Sequence, residues 1–522
     1  MKYNRTKNAT RNMFFNLIMR IYTLAVPFLL RTLFIYIMGV QYMGLNSLFT
    51  SILSVLNLAE LGVGSAMVHS MYKPLSEDDT DTVCALMGLY RKYYRIIGLV
   101  VLVIGVAISP LLPHIVKDEL PSDINLYVLY FLNLAVTVVS YWLFAYKNCI
   151  ITANQRNDVN TKINLCISTV TYVLQLFVLF AFRNYYLYII VSIVTGIVSN
   201  IVTAIVANKM FPQFCAKGKL PAENIKAINK KVRDLFTAKL GTVVVHSSDT
   251  IVISAFLGLT LLTQYQNYYF IMTSVSGFVS IIYSSMTSII GNSIVVESWE
   301  KNYRDFRVLL FIIALISGIC TTCFLCLYQP FMELWLGKDL LLDFGIVICF
   351  CIYFFAGELN KTLNLYKDAS GMWHSDRFRP LVVSLLNLGL NLASVHFLGL
   401  YGIILSTIVP MIFVGYPWLV HNLSREIFKP DKEKFIYKKI IFYFIATAVS
   451  SAITYLICSL ISLPLILTII VRALVCVVVC VVVLLLIYRN TSDFQDALVF
   501  INDKFLKGRF KKIVKVLRKE NV

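Results

Sequence analysis

With 522 residues, 58% of them hydrophobic and only 14% charged, the chain has room for many apolar spans and short connectors but for no soluble domain. Its formal charge of +19 does not mark a nucleic-acid binder, because the Lys and Arg residues sit in alternate connectors and not on one water-exposed scaffold. Function is therefore to be sought within a bilayer.

From the N-terminus, the basic segment MKYNRTKNATRN runs into a long apolar stretch with no small-residue cleavage pattern, so no removable signal peptide is read. A span needs roughly 20 apolar residues to cross about 30 Å of hydrocarbon. Fourteen stretches meet that need: 13–38, 44–70, 96–116, 124–146, 161–181, 184–207, 236–257, 264–290, 306–328, 341–365, 378–397, 400–421, 437–459 and 466–488. Of the 47 Lys and Arg, 34 fall in the two tails and every second connector, and seven more fall in spans at the ends next to those connectors. Lys117, Arg183 and Lys338 lie in the opposite set, and Arg20, Arg31 and Arg472 lie inside spans away from those ends. Cationic connectors stay cytoplasmic, so both termini are predicted inside.

The longest inner connector, 208–235, carries Pro, Gly and seven cationic residues and reads as a linker between two halves. Across it, FLLRTLFIYIMGVQYMGLNSLFTSILSV pairs weakly with SSDTIVISAFLGLTLLTQYQNYYFIMTSV. Gly39 and Gly258, 219 residues apart, each fall in a short outer turn. The prediction is an all-α integral membrane protein with a six-span N-lobe at 1–207, the linker, and a six-span C-lobe at 236–422. Two extra spans at 423–490 and a basic amphipathic cytoplasmic tail at 491–522 complete it. Segments 82–95 and 494–519 place apolar residues between basic ones at helical spacing and are expected to lie flat on the membrane.

Charges within spans are costly and tend to face water or a partner. Arg20 and Arg31 are eleven residues apart, three helical turns, and so share a face of span one. A shared face points to a cavity, and arginine suits phosphate through its paired donors and fixed charge. Arg472 stands alone near the outer end of span fourteen and is read as snorkelling. Asn46, Thr50, Ser54, Asn57 and Glu60 recur every three or four residues, a polar stripe that suits a wet lumen. Span five carries Asn164, Ser168, Thr171 and Gln175, which serve a lumen or bonds between helices equally well. Asp249, on span seven with His246, has no basic residue within its span beyond Lys239 at the entry and is a coupling-ion candidate. Glu358 and Lys361, three apart, are expected to pair. Asn387 and Asn391 on span eleven, with Ser406 and Thr407 on span twelve, offer the hard oxygen ligands that suit Na⁺. Twelve cysteines, including Cys320, Cys323 and Cys326, lie almost wholly in apolar spans and read as structural thiols.

Residues 39–74, GVQYMGLNSLFTSILSVLNLAELGVGSAMVHSMYKP, resemble the start of bacterial polysaccharide (Wzx-type) flippases, in the superfamily that also holds lipid II flippases and multidrug (MATE) exporters. Gly44-Leu45-Asn46 and Leu58-Ala59-Glu60-Leu61-Gly62 carry the likeness most specifically, and ITANQRNDVN at 151–160 is a second match. The resemblance implies two six-helix lobes around a central cavity, alternating access, and transport of an undecaprenyl-pyrophosphate-linked oligosaccharide. It also implies a Na⁺ site made by a span-seven carboxylate, an Asn-x-x-x-Asp pair on span eleven and a Thr on span twelve. Asp249, Asn387, Asn391 and Thr407 occupy those positions, with Asn391 standing where an Asp is expected. The choice between Na⁺ and H⁺ stays open.

The expected function is thus a flippase of the bacterial cytoplasmic membrane acting in surface polysaccharide assembly. Arg20 and Arg31 would attract the pyrophosphate, and Asn46, Thr50, Asn57 and Glu60 would meet sugar hydroxyls. No organic cofactor is called for, and the expected partners are the lipid-linked glycan, membrane lipids and other polysaccharide-assembly proteins. A cation-coupled exporter of the same superfamily is the alternative. A polymerase or ligase is disfavoured, since no outer connector exceeds roughly a dozen residues and no catalytic triad or phosphate-cradling loop is found.

Overall fold

The computed structural model describes residues 5–504 apart from Leu61, Glu119 and Trp373. Among the described residues the chain is helical throughout, without a strand. A lipid-embedded backbone has to satisfy its own hydrogen bonds, and helices do so within one segment. The chain forms two compact units, Met1–Thr263 and Gln264–Val522.

The first unit holds α1 (Arg5–Met38), α2 (Val40–Leu56), α3 (Val63–Ser76), α4 (Thr80–Ile108), α5 (Leu112–Ile115), α6 (Leu126–Trp142), α7 (Asn148–Ala153), α8 (Asn157–Ala181), α9 (Tyr185–Met210) and α10 (Ala222–Phe256). Helix α11 (Leu259–Val296) starts there and continues into the second unit. The second unit holds α12 (Trp299–Leu336), α13 (Phe344–Ser370), α14 (Arg379–Leu398), α15 (Leu400–Pro410), α16 (Tyr416–Glu426), α17 (Glu433–Ser459), α18 (Leu465–Tyr488) and α19 (Ser492–Lys504). Side-chain caps set several starts. The Asn125 carboxamide oxygen accepts from the amides of Tyr127 and Val128, and Asn184 accepts from Leu187. Asp79 caps α4, and its hydrogen bonds from Thr82 hold the carboxyl below its usual range.

Among the described residues, eleven helices are long and apolar enough to cross a membrane, or twelve if α6 and the following 3₁₀ turn and α7, bent by 47°, make one broken span. The expected stretches at 44–70 and 236–257 instead contain shorter apolar helices, Val40–Leu56 and Val243–Phe256. The first is cut short because Asn57–Glu60 tightens into a 3₁₀ turn and Gly62 takes φ +87° before α3. Two other expectations are corrected. Residues 82–95 are no separate flat segment but the first half of the continuous helix α4. The described start of the tail, α19, is docked onto the second unit through buried charge, while 505–522 lie outside the described residues.

Helix α10 packs against α2 and α3 within the first unit. Gly39 (φ +109°) separates α1 from α2, and Gly258 (φ +98°) separates α10 from α11. The two turns are held close: Thr263 Oγ1 donates to the Val40 carbonyl at 2.8 Å, and a Cβ on Gly44 would sit 2.6 Å from the Leu259 carbonyl oxygen. In the second unit an aromatic core joins α11, α12, α13, α16, α17 and α18, with Phe306, Phe311, Phe355, Tyr366, Tyr443 and Tyr488 at 2% exposure or less.

Candidate substrate and ion sites

The polar stripe of α2 divides in two. Asn46 Oδ1 accepts from Tyr185 Oη of α9 at 3.3 Å. Thr50 is exposed, and its hydroxyl bonds back to the Asn46 carbonyl at 2.7 Å; Ser54 bonds back to Thr50 at 2.8 Å. Asn57 and Glu60 are not on the helix at all. They lie in the 3₁₀ turn, where Tyr94 Oη donates to Glu60 Oε1 at 2.6 Å and Tyr141 Oη lies 2.8 Å from Glu60 Oε2 and 3.0 Å from Asn57 Oδ1. Tyr90 donates in turn to Tyr94 at 2.8 Å. Three tyrosines from α4 and α6 thus form a polar cluster around one carboxylate. Their pairing crosses 34 and 81 residues of sequence, and the sole local sign was Tyr90 and Tyr94 one turn apart on α4.

Arg20 and Arg31 both belong to α1. The side chain of Arg20 lies outside the described residues, and Arg31 is half-buried. Helix α1 runs beside α8, where Tyr22 Oη and Thr169 Oγ1 are 2.7 Å apart and the Tyr22 and Tyr172 rings stack. Gln175, at the far end of the α8 stripe, donates to Ser192 of α9 at 2.9 Å and is buried, so this part of the stripe joins helices.

Asp249, on α10 in the first unit, is 3% exposed. In the second unit, Asn387 Nδ2 donates to Thr407 Oγ1 at 2.9 Å, Asn391 Nδ2 reaches Asn387 Oδ1 at 3.4 Å, and Ser406 Oγ donates to Asn391 Oδ1. Asn387 and Asn391 are fully buried. Three of the four predicted ion ligands are therefore joined by one neutral network between α14 and α15. The pair expected from Glu358 and Lys361 forms at 2.8 Å, and Tyr283 Oη reaches Glu358 Oε2 at 3.0 Å and its carbonyl at 2.8 Å. Ser276 bonds both partners of that pair. Arg472 donates to the carbonyl of Ile461, in the turn before α18, at 3.1 Å.

Neither a protein-family model nor a curated protein matches the sequence. Among solved structures the chain is similar to the lipid II flippase MurJ in an inward-closed conformation. That match has a TM-score of 0.66 at 15% identity over 92% of this chain and 99% of that one. It is similar to an inward-facing multidrug resistance MATE-family transporter of the MOP superfamily, at TM-score 0.57 and 13% identity over 78% of this chain and 98% of that one. A eukaryotic MATE transporter, AtDTX14, gives 0.55 at 10% identity over 83% and 99%. These identities carry the fold alone. The chain is an all-helical, multi-pass membrane protein with the fold shared by these flippases and exporters.

Proposed function

We propose that the protein is a flippase that moves an undecaprenyl-pyrophosphate-linked oligosaccharide from the inner to the outer leaflet of the bacterial cytoplasmic membrane for surface polysaccharide assembly. The observation that carries this reading is coverage. The flippase structure accounts for 92% of this chain, whereas the two exporters account for 78% and 83%. A flippase therefore matches the chain over more of its length.

The residues support that chemistry. Arg20 and Arg31 put two non-titrating cations on one helix within the membrane, and the guanidinium fork suits a pyrophosphate. Thr50 is exposed on α2, where Asn46 meets Tyr185, and Asn57 and Glu60 meet the tyrosine cluster. Glycans are recognised by such amide, carboxylate and hydroxyl groups. No bond is made or broken, so no residue acts as nucleophile or general base, and the protein is a transporter and not an enzyme. A coupling ion shifts the populations of two states only through differential affinity. Asp249 is the carboxylate we assign to that task, and Asn387, Asn391 and Thr407 are the oxygen donors we assign with it; the ion is Na⁺ or H⁺. Both termini are placed in the cytoplasm by the distribution of Lys and Arg.

A drug exporter of the same fold is the second reading, favoured by the half-buried Glu60 and the buried Asp249, carboxylates that suit a cationic substrate. Reconstitution separates the two. Liposomes carry the purified protein and undecaprenyl-pyrophosphate oligosaccharide in the inner leaflet, and a glycosidase outside reports glycan that has crossed. Protein-dependent exposure that falls at least about tenfold in Arg31→Ala, a loss of roughly 1.4 kcal/mol or more, supports flipping. Uptake of a cationic dye with no glycan exposure assigns the protein to the exporters.

A further inference from the structure

Four of the twelve cysteines meet inside the second unit. Cys326 of α12, Cys458 at the end of α17 and Cys476 of α18 are each at most 1% exposed, and their Sγ atoms all lie within 4.8 Å of one another. Cys458 and Cys476 are 3.6 Å apart, sulfur to sulfur. Cys323, one turn before Cys326, is in hydrogen-bond contact with Cys476. The run of cysteines on α12 carries no ligand set by itself. The fold adds two more thiols from 132 and 150 residues further along the chain (458−326 and 476−326). Leu327, Tyr455 and Val475 pack around the cluster and keep it dry.

Arg472 lies four residues before Cys476, on the same face of α18. One end of its guanidinium is held by the Ile461 carbonyl, and its buried Nε has no hydrogen-bond partner. A buried donor left unpaired is costly, and more so when it carries charge. Anionic sulfur one turn away would offset that cost.

We propose that Cys326, Cys458 and Cys476, with Cys323 beside them, bind a soft monovalent cation of the Cu⁺ class, with Arg472 as the counter-charge. Thiolates are soft ligands and select such ions over hard ones. Charge sets the number of thiolates. Two thiols lose their protons to water as two sulfur–copper bonds form, giving a bis-thiolate complex of charge −1 that Arg472 brings to zero; copper stays +1 throughout. A divalent ion would need a third deprotonated thiol to reach the same balance, one more buried anion made in hydrocarbon. The remaining thiols stay protonated. A metal here ties α17 and α18 to α12, so it pins the two C-terminal helices to the body of the second unit.

The test titrates full-length protein in detergent with Cu⁺, anaerobically, against a chromogenic Cu⁺ chelator. One Cu⁺ is retained per chain, with sulfur-only coordination by X-ray absorption, and retention strengthens as pH rises because protons are displaced. Cys458→Ser and Cys476→Ser each lower retention at least about tenfold, and Cys166→Ser, at an exposed cysteine of α8, leaves it unchanged. Arg472→Gln, which leaves every thiol in place, weakens binding too and guards against variants that fail to fold. Equal retention in Cys476→Ser overturns the proposal. So does displacement of Cu⁺ by Zn²⁺, or a Cys458–Cys476 disulfide in protein prepared without oxidant or reductant.

Discussion

A membrane-embedded carboxylate is costly unless donors surround it, and Glu60 shows how this chain meets that cost. Tyr94 and Tyr141 supply hydroxyl donors at 2.6 and 2.8 Å, and Tyr90 backs Tyr94. Thr50, ten residues earlier, bonds only to its own helix backbone among the hydrogen bonds described. The two residues belong to one stripe in the sequence and to different tasks in the structure. Glu60→Gln is expected to destabilise the protein by about 1–3 kcal/mol through weakened acceptors for buried tyrosines, seen as a lower thermal midpoint in detergent. Thr50→Ala should leave the midpoint unchanged and lower glycan flipping instead. An unchanged midpoint in Glu60→Gln would remove the structural role assigned to the tyrosine cluster. At this scale the sequence exposed the polar residues inside apolar spans, since their cost in lipid makes them conspicuous. The tyrosines that hold Glu60 were hidden, because tyrosine is ordinary in a membrane interface and its partner lies on another helix. The same holds for the four-cysteine cluster, legible as one run on α12 and silent about α17 and α18.

Among the elements, helix existence was legible and helix continuity was not. Hydropathy marks apolar runs but does not see a 3₁₀ turn at Asn57–Glu60 or the left-handed Gly62 that ends α2 early. Residues 82–95 were misjudged for a related reason: an amphipathic start suits a separate surface helix or the beginning of a longer one, and here it begins the continuous α4. Glycines at turns were read well. Gly258 has φ +98°, and a Cβ there would meet the Asp118 carboxylate, which accepts the Leu259 amide at 2.7 Å. Gly258→Ala is therefore expected to abolish folded protein, measured as monodisperse yield after detergent extraction. Gly357, inside α13 with open space around it, is the contrast. Gly357→Ala should be neutral or stabilising by up to about 1 kcal/mol, the intrinsic helix gain.

For the whole molecule, the sequence reading of an all-helical transporter fold stands, and eleven or twelve of the fourteen expected spans are matched by long apolar helices among the described residues. Compact units divide at Thr263, so α10 and its Asp249 fall with the first unit, whereas the Asn387 network falls with the second. No local pattern reports such a division, because it depends on which helices touch. Orientation is the whole-molecule property open to direct test. Cys215 is exposed in the connector between α9 and α10, which the distribution of basic residues places in the cytoplasm. A membrane-impermeant maleimide should label it in inside-out vesicles and not in right-side-out ones, with Cys215→Ser as the blank. The reverse pattern would invert the topology. The docked tail carries one more consequence. Arg307 and Lys439 pair with Asp493 at 3.1 and 2.6 Å, Arg307 also meets Asp496 at 3.2 Å, and Tyr443 donates to Asp493 at 2.7 Å. Both acidic residues follow α18, the last apolar helix, and Asp493 lies 186 residues beyond Arg307. At about 5–20 residues per second of synthesis, Arg307 waits roughly 10–40 s on the ribosome-bound chain before its carboxylates exist. Arg307 and Lys439 thus meet these carboxylates only after the last apolar helix has been made, so the order of translation fixes the order in which the buried charges of this cluster are assembled.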